Sequence, residues 1–268
     1  MKLGKVLFIG GSPKKFPSVQ IRCGDIASRL GCDCVYSVKK AEELPPGYSA
    51  FICVKPRLGQ EELIKLAKRG LVIWDIVDKS PPENGVSIYL ASTKRAKQTF
   101  EHLGRIEVIP HHHCNFDNIP NPQQLRRPGW IGTLRWLPHI EGFDHDVYNV
   151  NQMTSVDVAR AHRHIGIGLN LRAETFNTAL HAEINTGIKL INCIGFGIPS
   201  ISSDEPAYRE IGGDCTIFTD LRGSAQWVHE LQNNDQIYLT IRNNCLIKAS
   251  AFHISSILEM YKTLLALL

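Results

Sequence analysis

The chain has 268 residues, and its 30 lysines and arginines against 26 aspartates and glutamates give a formal charge of +4. So small and dispersed an excess argues against a nucleic-acid surface, but suits an anionic diphosphate ligand or, at most, a peripheral membrane contact. No run approaches the roughly 20 apolar residues that span a bilayer, and Met1 to Ser12 is too polar, then too strand-like, for a signal peptide. These features predict a soluble, cytoplasmic protein with room for one large domain or two small ones.

KVLFIG (Lys5 to Gly10) reads as a buried strand, followed by a glycine loop and a helix from Val19 to Leu30. Gly10 and Gly11 lack the spacing of a dinucleotide fingerprint, and Pro13 and Pro17 interrupt the turn, so the plain reading is a first βα connection. Further strands are predicted at Cys34 to Ser37, Ala50 to Val54, Leu71 to Ile76 and Ser87 to Ala91, with a helix from Gln60 to Arg69. Strands alternating with helices imply a parallel sheet with crossovers. Asp75 and Asp78, in WDIVDKS, fall at the carboxyl end of the fourth strand, the edge where such sheets place chemistry. Two carboxylates three apart suit positioning a hydroxyl or holding a cation; alternatively, Asp78 caps the following turn.

A helix from Ser92 to Leu103, capped by Ser92 or Thr93, leads to a short strand, Glu107 to Pro110. His111, His112, His113 and Cys114 then look like zinc ligands. Adjacent residues point in divergent directions, however, and zinc sites usually space their ligands, so an imidazole hydrogen-bonding a phosphate or sugar hydroxyl is the better reading. The eight cysteines include no paired Cys-x-x-Cys elements; Cys23, Cys53, Cys193 and Cys215 sit in apolar contexts as small hydrophobes, and only Cys32 and Cys34 lie close together.

DNIPNPQQLRRP (Asp117 to Pro128), with three prolines and no apolar period, reads as a linker between residues 1–116 and a second domain over 129–246. Trp130 to Gly132 opens the second sheet. Asp146 to Val150 and Ile165 to Asn170 continue it, separated by a helix from Ser155 to Arg163 with Ser155 as its N-cap. Thr186 to Gly213, TGIKLINCIGFGIPSISSDEPAYREIGG, reads as a helix ended by Gly195 and Gly197, a buried strand from Ile198 to Ser202, and a polar loop. A basic residue near a helix start, then a Gly-x-Pro strand, is an arrangement by which α/β sheets hold an anion beyond their strand ends. Cys215 to Phe218 adds a strand, Ser224 to Asn233 a helix, and Ile237 to Leu268 a long helical tail whose apolar face must pack somewhere.

KLINCIGFGIPSISSDEPAYREIGGD resembles the nucleotide-sugar signature of GT-B glycosyltransferases, and within them a compact variant of the retaining, group 1, family-four-like members. Lys189, Gly197, Pro199, Glu210 and Ile211 fall in register; Asn192 stands where the family has the glutamate that bonds the donor ribose. A second family glutamate, near the donor sugar, falls at Ile184, with Glu183 one residue away. The resemblance implies two Rossmann-like domains facing a cleft, with the tail from residue 247 packing back on the first. It also implies sugar transfer from a nucleotide diphosphate donor to a glycan or other hydroxyl acceptor, with no cofactor and no bound metal.

For the first domain, the resemblance makes Ser12, Ser18, Gln20 and Arg22 acceptor-side candidates and His111 a catalytic one, while Asp75 and Asp78 are catalytic candidates from their place at the strand edge. In the second it points to Gly132 and Arg135 near the diphosphate, Asn151 and Gln152 near the base, and Asn170 and Arg172 near the sugar or phosphate. Glu183, Thr186, Lys189 and Asn192 complete the donor set. Arg135 reads equally as a surface residue, and Arg172 equally as a partner of Glu174. Two other readings stay open: a binding protein without turnover, because the family glutamates are out of register, and a sugar-nucleotide epimerase, with Asp75 and Asp78 as its proton-transfer pair.

Overall fold

The computed structural model describes residues 5–13, 17–77, 80–151, 153–172 and 183–268. The chain divides into two compact units: Met1–Pro110 with Ile184–Thr186 and Ile257–Leu268, and His111–Glu183 with Gly187–Ser256.

The first unit is built on six strands: β1 (Lys5–Gly10), β2 (Asp33–Tyr36), β3 (Tyr48–Val54), β4 (Leu71–Asp75), β5 (Ile88–Ala91) and β6 (Ile106–Val108). They pair in parallel in the order β2-β1-β3-β4-β5-β6. Both faces of β1 and β3 are buried, which is why KVLFIG and AFICV read as continuous apolar runs. Leu7, Ile9, Phe51, Cys53 and Leu63 form one core layer; Ile76, Tyr89, Phe100 and Ile184 belong to another. Thr93 is the N-cap of the helix Lys94–Phe100, accepting from the Ala96 amide at 3.1 Å.

The helix after β1 departs from expectation. Pro17–Val19 is α-helical, Gln20–Asp25 is a π-helix and Ile26–Leu30 returns to α. The widened turn sends Arg22 inward, where it is buried against Asp75. Nothing in the residue pattern announces this change of pitch.

The second unit holds β7 (Pro128–Gly132), β8 (Asp146–Asn149), β9 (Ile167–Asn170), β10 (Ser200–Ser202) and β11 (Thr216–Phe218), parallel in the order β11-β10-β9-β7-β8. Trp130, Ile167, Leu169, Leu190, Ile194 and Ile201 lie in its main core. The segment read as a linker, 117–128, is held within this unit. Asn121 donates to the carbonyls of His162 and Ile165, and Arg242 donates to the carbonyls of Asn121 and Gly197.

Three local expectations are corrected. Thr154, not Ser155, caps the helix Ser155–His162, in a capping box with Asp157. The polar loop after β10 contains a helix, Pro206–Gly212, started by a proline in its first turn. The long tail is two helices, Asp235–Ala249 and Ile254–Ala266, separated by a 3-10 turn at Ser250–Phe252. Tyr261, on the last helix, is fully buried beside Phe8 and under the guanidinium of Arg22. No helix among the described residues is long and apolar enough to cross a membrane.

Candidate anion site in the second unit

In the second sheet the strand order reverses between β7 and β9, and the crevice outside the carboxyl ends of such neighbouring strands is where α/β folds bind ligands. β7 ends at Gly132 and β9 at Asn170, followed by Leu171 and Arg172. The helix Ile188–Phe196 starts at the same edge. It carries Lys189 in a first turn that has no acidic residue. A helix start already favours anions, so a lysine there gains nothing from the macrodipole and adds to its pull on negative charge.

Lys189 Nζ lies 4.1 Å from the centre of the Trp130 ring, and the Trp130 indole N–H is itself tied to the Leu171 carbonyl at 3.2 Å. A Cβ added at Gly132 would fall 2.6 Å from the Trp130 ring and 2.9 Å from Lys189 Nζ. Only a glycine leaves that space. Burial, followed by the charge of Arg172, pushes the Lys189 ammonium down to about 7, with Glu205 acting in the opposite sense. The Trp130 ring face also favours the charged form.

Arg172 Nε pairs with Glu205 Oε1 at 2.8 Å, both side chains being largely buried, and the Arg172 amide donates to Ser203 Oγ at 3.2 Å. Glu205 directly precedes the helix Pro206–Gly212. Among the described residues, Lys189, Arg172 and Glu205 thus share this edge. Glu205 and Trp130 were not among the sequence candidates. An acidic residue before a proline reads as turn chemistry, and a tryptophan opening a strand reads as core. Glu174, the partner first considered for Arg172, lies outside the described residues, as does Gln152.

Other candidates have different work. Asn192, at the position of the expected ribose contact, is buried and its side-chain oxygen accepts the Cys114 amide at 2.9 Å, fixing the helix to the 111–115 segment. Ile184, at the register of the second family glutamate, packs in the first unit's core, and Thr186 is buried in that unit too. Glu183 is half-buried in the second unit. Asn170 is buried and donates to Ser202 Oγ at 3.2 Å, joining a polar network with Thr216 and Ser200. Arg135 is exposed over Trp136, and Asn151 is exposed beside Thr133.

The expected catalytic residues fare similarly. Asp75 is buried with Arg22, which also donates to the carbonyls of Ile109 and Pro110 at 2.8 Å each. A carboxylate so engaged is a structural anchor, and the same contacts remove Arg22 from the acceptor candidates. Asp78 lies outside the described residues. His111 is fully buried, unlike an imidazole open to a ligand. His113 spends its amide on the Phe252 carbonyl at 2.9 Å and its Nε2 on the Ala249 carbonyl at 3.2 Å. Among the described residues, no three His, Cys, Asp or Glu side chains converge as a metal ion requires.

The arrangement of strands agrees with solved glycosyltransferase structures. The chain matches Anabaena HepE, solved in complex with UDP and glucose, with a TM-score of 0.67 at 11% identity, over 99% of this chain and 100% of that one. The chain has the GT-B fold. A glycosyltransferase from Rickettsia africae ESF-5 gives 0.62 at 9% identity, over 99% and 98%. Sucrose-phosphate synthase from Thermosynechococcus elongatus gives 0.59 at 10% identity, over 98% and 100%. No protein-family model matches the chain, and no curated protein sequence does. At such identities the likeness is one of fold, and the chemistry must be argued from the residues.

Proposed function

We propose that this chain is a cytoplasmic glycosyltransferase that moves a sugar from a nucleoside diphosphate donor to a hydroxyl acceptor without a bound metal. The observation that carries the reading is the grouping of Lys189, Arg172 and the Gly132 backbone at the switch point of the second sheet. Support also comes from the structural neighbours: Anabaena HepE was solved with UDP, with UDP and glucose, and with UDP-glucose.

As the bond between sugar and diphosphate breaks, negative charge accumulates on the leaving phosphate. Lys189 and Arg172 stabilise that charge, and their partial exclusion from water strengthens the effect. The donor competes with Glu205 for the guanidinium of Arg172. The acceptor hydroxyl forms the new bond to the sugar and loses its proton, which the released diphosphate can carry away. Retention at the anomeric carbon, the outcome suggested by the signature around Lys189, is part of the proposal and rests on that resemblance.

Titrating the protein calorimetrically with nucleoside diphosphates and with the matching nucleosides tests the site. Lys189→Ala should weaken the diphosphate by about one to two decades, the worth of one charge-assisted bond, and leave the nucleoside unchanged. Equal weakening of both would assign Lys189 a structural role. A second reading, binding without turnover, is favoured by Asn192 and Ile184, since neither position carries the family's carboxylate. Nucleotide-sugar binding without transfer or hydrolysis would select it. The epimerase reading loses ground because Asp75 is committed to Arg22.

A further inference from the structure

β2 is the edge strand of the first sheet, and its Cys34 side chain meets Cys23 of the π-helical turn, with the two sulfurs 3.3 Å apart. Cys23 is fully buried and Cys34 half-buried. The turn and the strand are in close contact at the next residue as well: a Cβ at Gly24 would fall 2.6 Å from the Tyr36 hydroxyl. Cys32, two residues before Cys34, makes no such contact; its thiol faces the Leu30 carbonyl at 3.9 Å.

The two thiols differ in chemistry. Either sulfur can donate in the contact between them; its effect, with that of Tyr36, is to shift Cys34 toward its thiolate, whereas the same contact and burial hold Cys23 as the thiol. A nucleophilic sulfur is therefore on the accessible side, and a protonated sulfur touches it from behind. We propose that Cys34 and Cys23 form a hydroperoxide-oxidised pair that closes to an intramolecular disulfide.

Cys34 thiolate attacks one oxygen of the hydroperoxide. The S–O bond forms as the O–O bond breaks, the peroxide is reduced to an alcohol or water after taking up a proton, and Cys34 becomes a sulfenic acid. Cys23 sulfur then attacks Cys34 sulfur; the S–O bond breaks, and the departing hydroxide leaves as water with the Cys23 proton. Closure asks the sulfurs to approach by about 1.3 Å, to a bond of about 2.05 Å. The disulfide would staple the edge strand to the turn carrying Arg22, the neighbour of Cys23 in sequence. A dithiol reductant reverses it.

The test uses the full, reduced chain treated with increasing hydrogen peroxide, alkylated, digested with trypsin and analysed by mass spectrometry. The expected result is the loss of two of the eight free thiols and a linked pair of peptides spanning 23–29 and 30–39. The link should persist in Cys32→Ser and vanish in Cys34→Ser. In Cys23→Ser, dimedone should instead trap a sulfenic acid at residue 34. A link through Cys32, prior oxidation of any other cysteine, or eight alkylatable thiols at tenfold peroxide would overturn the proposal. The decisive readouts are in the unaltered chain and Cys32→Ser, so they survive a failure of Cys23→Ser to fold.

Discussion

Arg22 and Asp75, 53 positions apart in the chain, meet in a two-point ion pair: Nε lies 2.6 Å from Oδ2 and Nη2 lies 3.0 Å from Oδ1. Both side chains are shut off from solvent. The remaining guanidinium nitrogen serves the Ile109 and Pro110 carbonyls, so the arginine ties the π-helical turn, β4 and the strand exit after β6 together. Removing one member leaves the other charged in a dry environment. Asp75→Asn should therefore cost about 3 to 5 kcal/mol in denaturant unfolding, and Arg22→Met with Asp75→Leu should recover much of it. A stable Asp75→Asn protein that had lost only activity would instead make Asp75 a chemical participant.

Asn192 offers a similar test. Its side-chain oxygen is the partner of the buried Cys114 amide, so Asn192→Ala strands a donor at a cost of about 1 to 3 kcal/mol. The loss should appear in thermal unfolding. Nucleotide affinity should change equally for a ribonucleotide and its 2′,3′-dideoxy analogue, because the carboxamide is engaged away from the ligand; a loss confined to the ribonucleotide would restore the ribose contact.

These two residues show what the sequence could and could not convey. The inner strands of both sheets were legible because buried parallel strands are continuous apolar runs, as in KVLFIG and AFICV. Lys189 was legible from its place at a helix start before a Gly-x-Pro strand; Gly197 ends that helix with φ +64° and its amide on the Cys193 and Ile194 carbonyls. The partners of Asp75 and Asn192 were not legible. Each lies more than fifty positions away, and what reaches it is a side chain on a π-helical turn in one case and a backbone amide of an irregular segment in the other. Glu205 was hidden for the same reason, since its pairing with Arg172 joins the ends of two different strands.

Buried histidines set the acid limit of the fold. His162 stacks on Phe196 with ring centres 5.4 Å apart, and burial pushes it down to about 4; His113, also buried and beside His253, is likewise pushed down to about 4. In the unfolded chain both titrate near 6.5, so between about 6.5 and 4 the unfolded state binds more protons and stability falls as pH falls. Each group contributes a slope of about 1.4 kcal/mol per pH unit within that window. Urea midpoints measured from pH 7.5 to 4.5 should show the decline, and His162→Phe should make it shallower. An unchanged slope in that variant would mean that His162 already carries its proton in the folded state.

Lys189 ties the pH dependence of binding to the proposed chemistry. With its ammonium pushed down to about 7, the ligand-free lysine is mostly charged below that pH and mostly neutral above it. A bound diphosphate favours the charged form, raising the lysine's pKa in the complex, so binding above pH 7 must draw a proton from the buffer. Affinity should be nearly flat below pH 7 and then fall by up to about tenfold per pH unit until the pKa of the complex is reached. Calorimetry at pH 8 in two buffers of different ionisation enthalpy measures the proton uptake directly. Lys189→Arg, charged throughout, should bind without uptake and with a flat profile, although the tight space between Gly132 and Trp130 will lower its affinity overall. Gly132→Ala acts on the same space from the other side: its Cβ displaces the Lys189 amine and should weaken the diphosphate without affecting the nucleoside. If the unaltered protein takes up no proton at pH 8, or Lys189→Ala keeps the full pH slope, the titrating group is not Lys189 and the phosphate lies elsewhere.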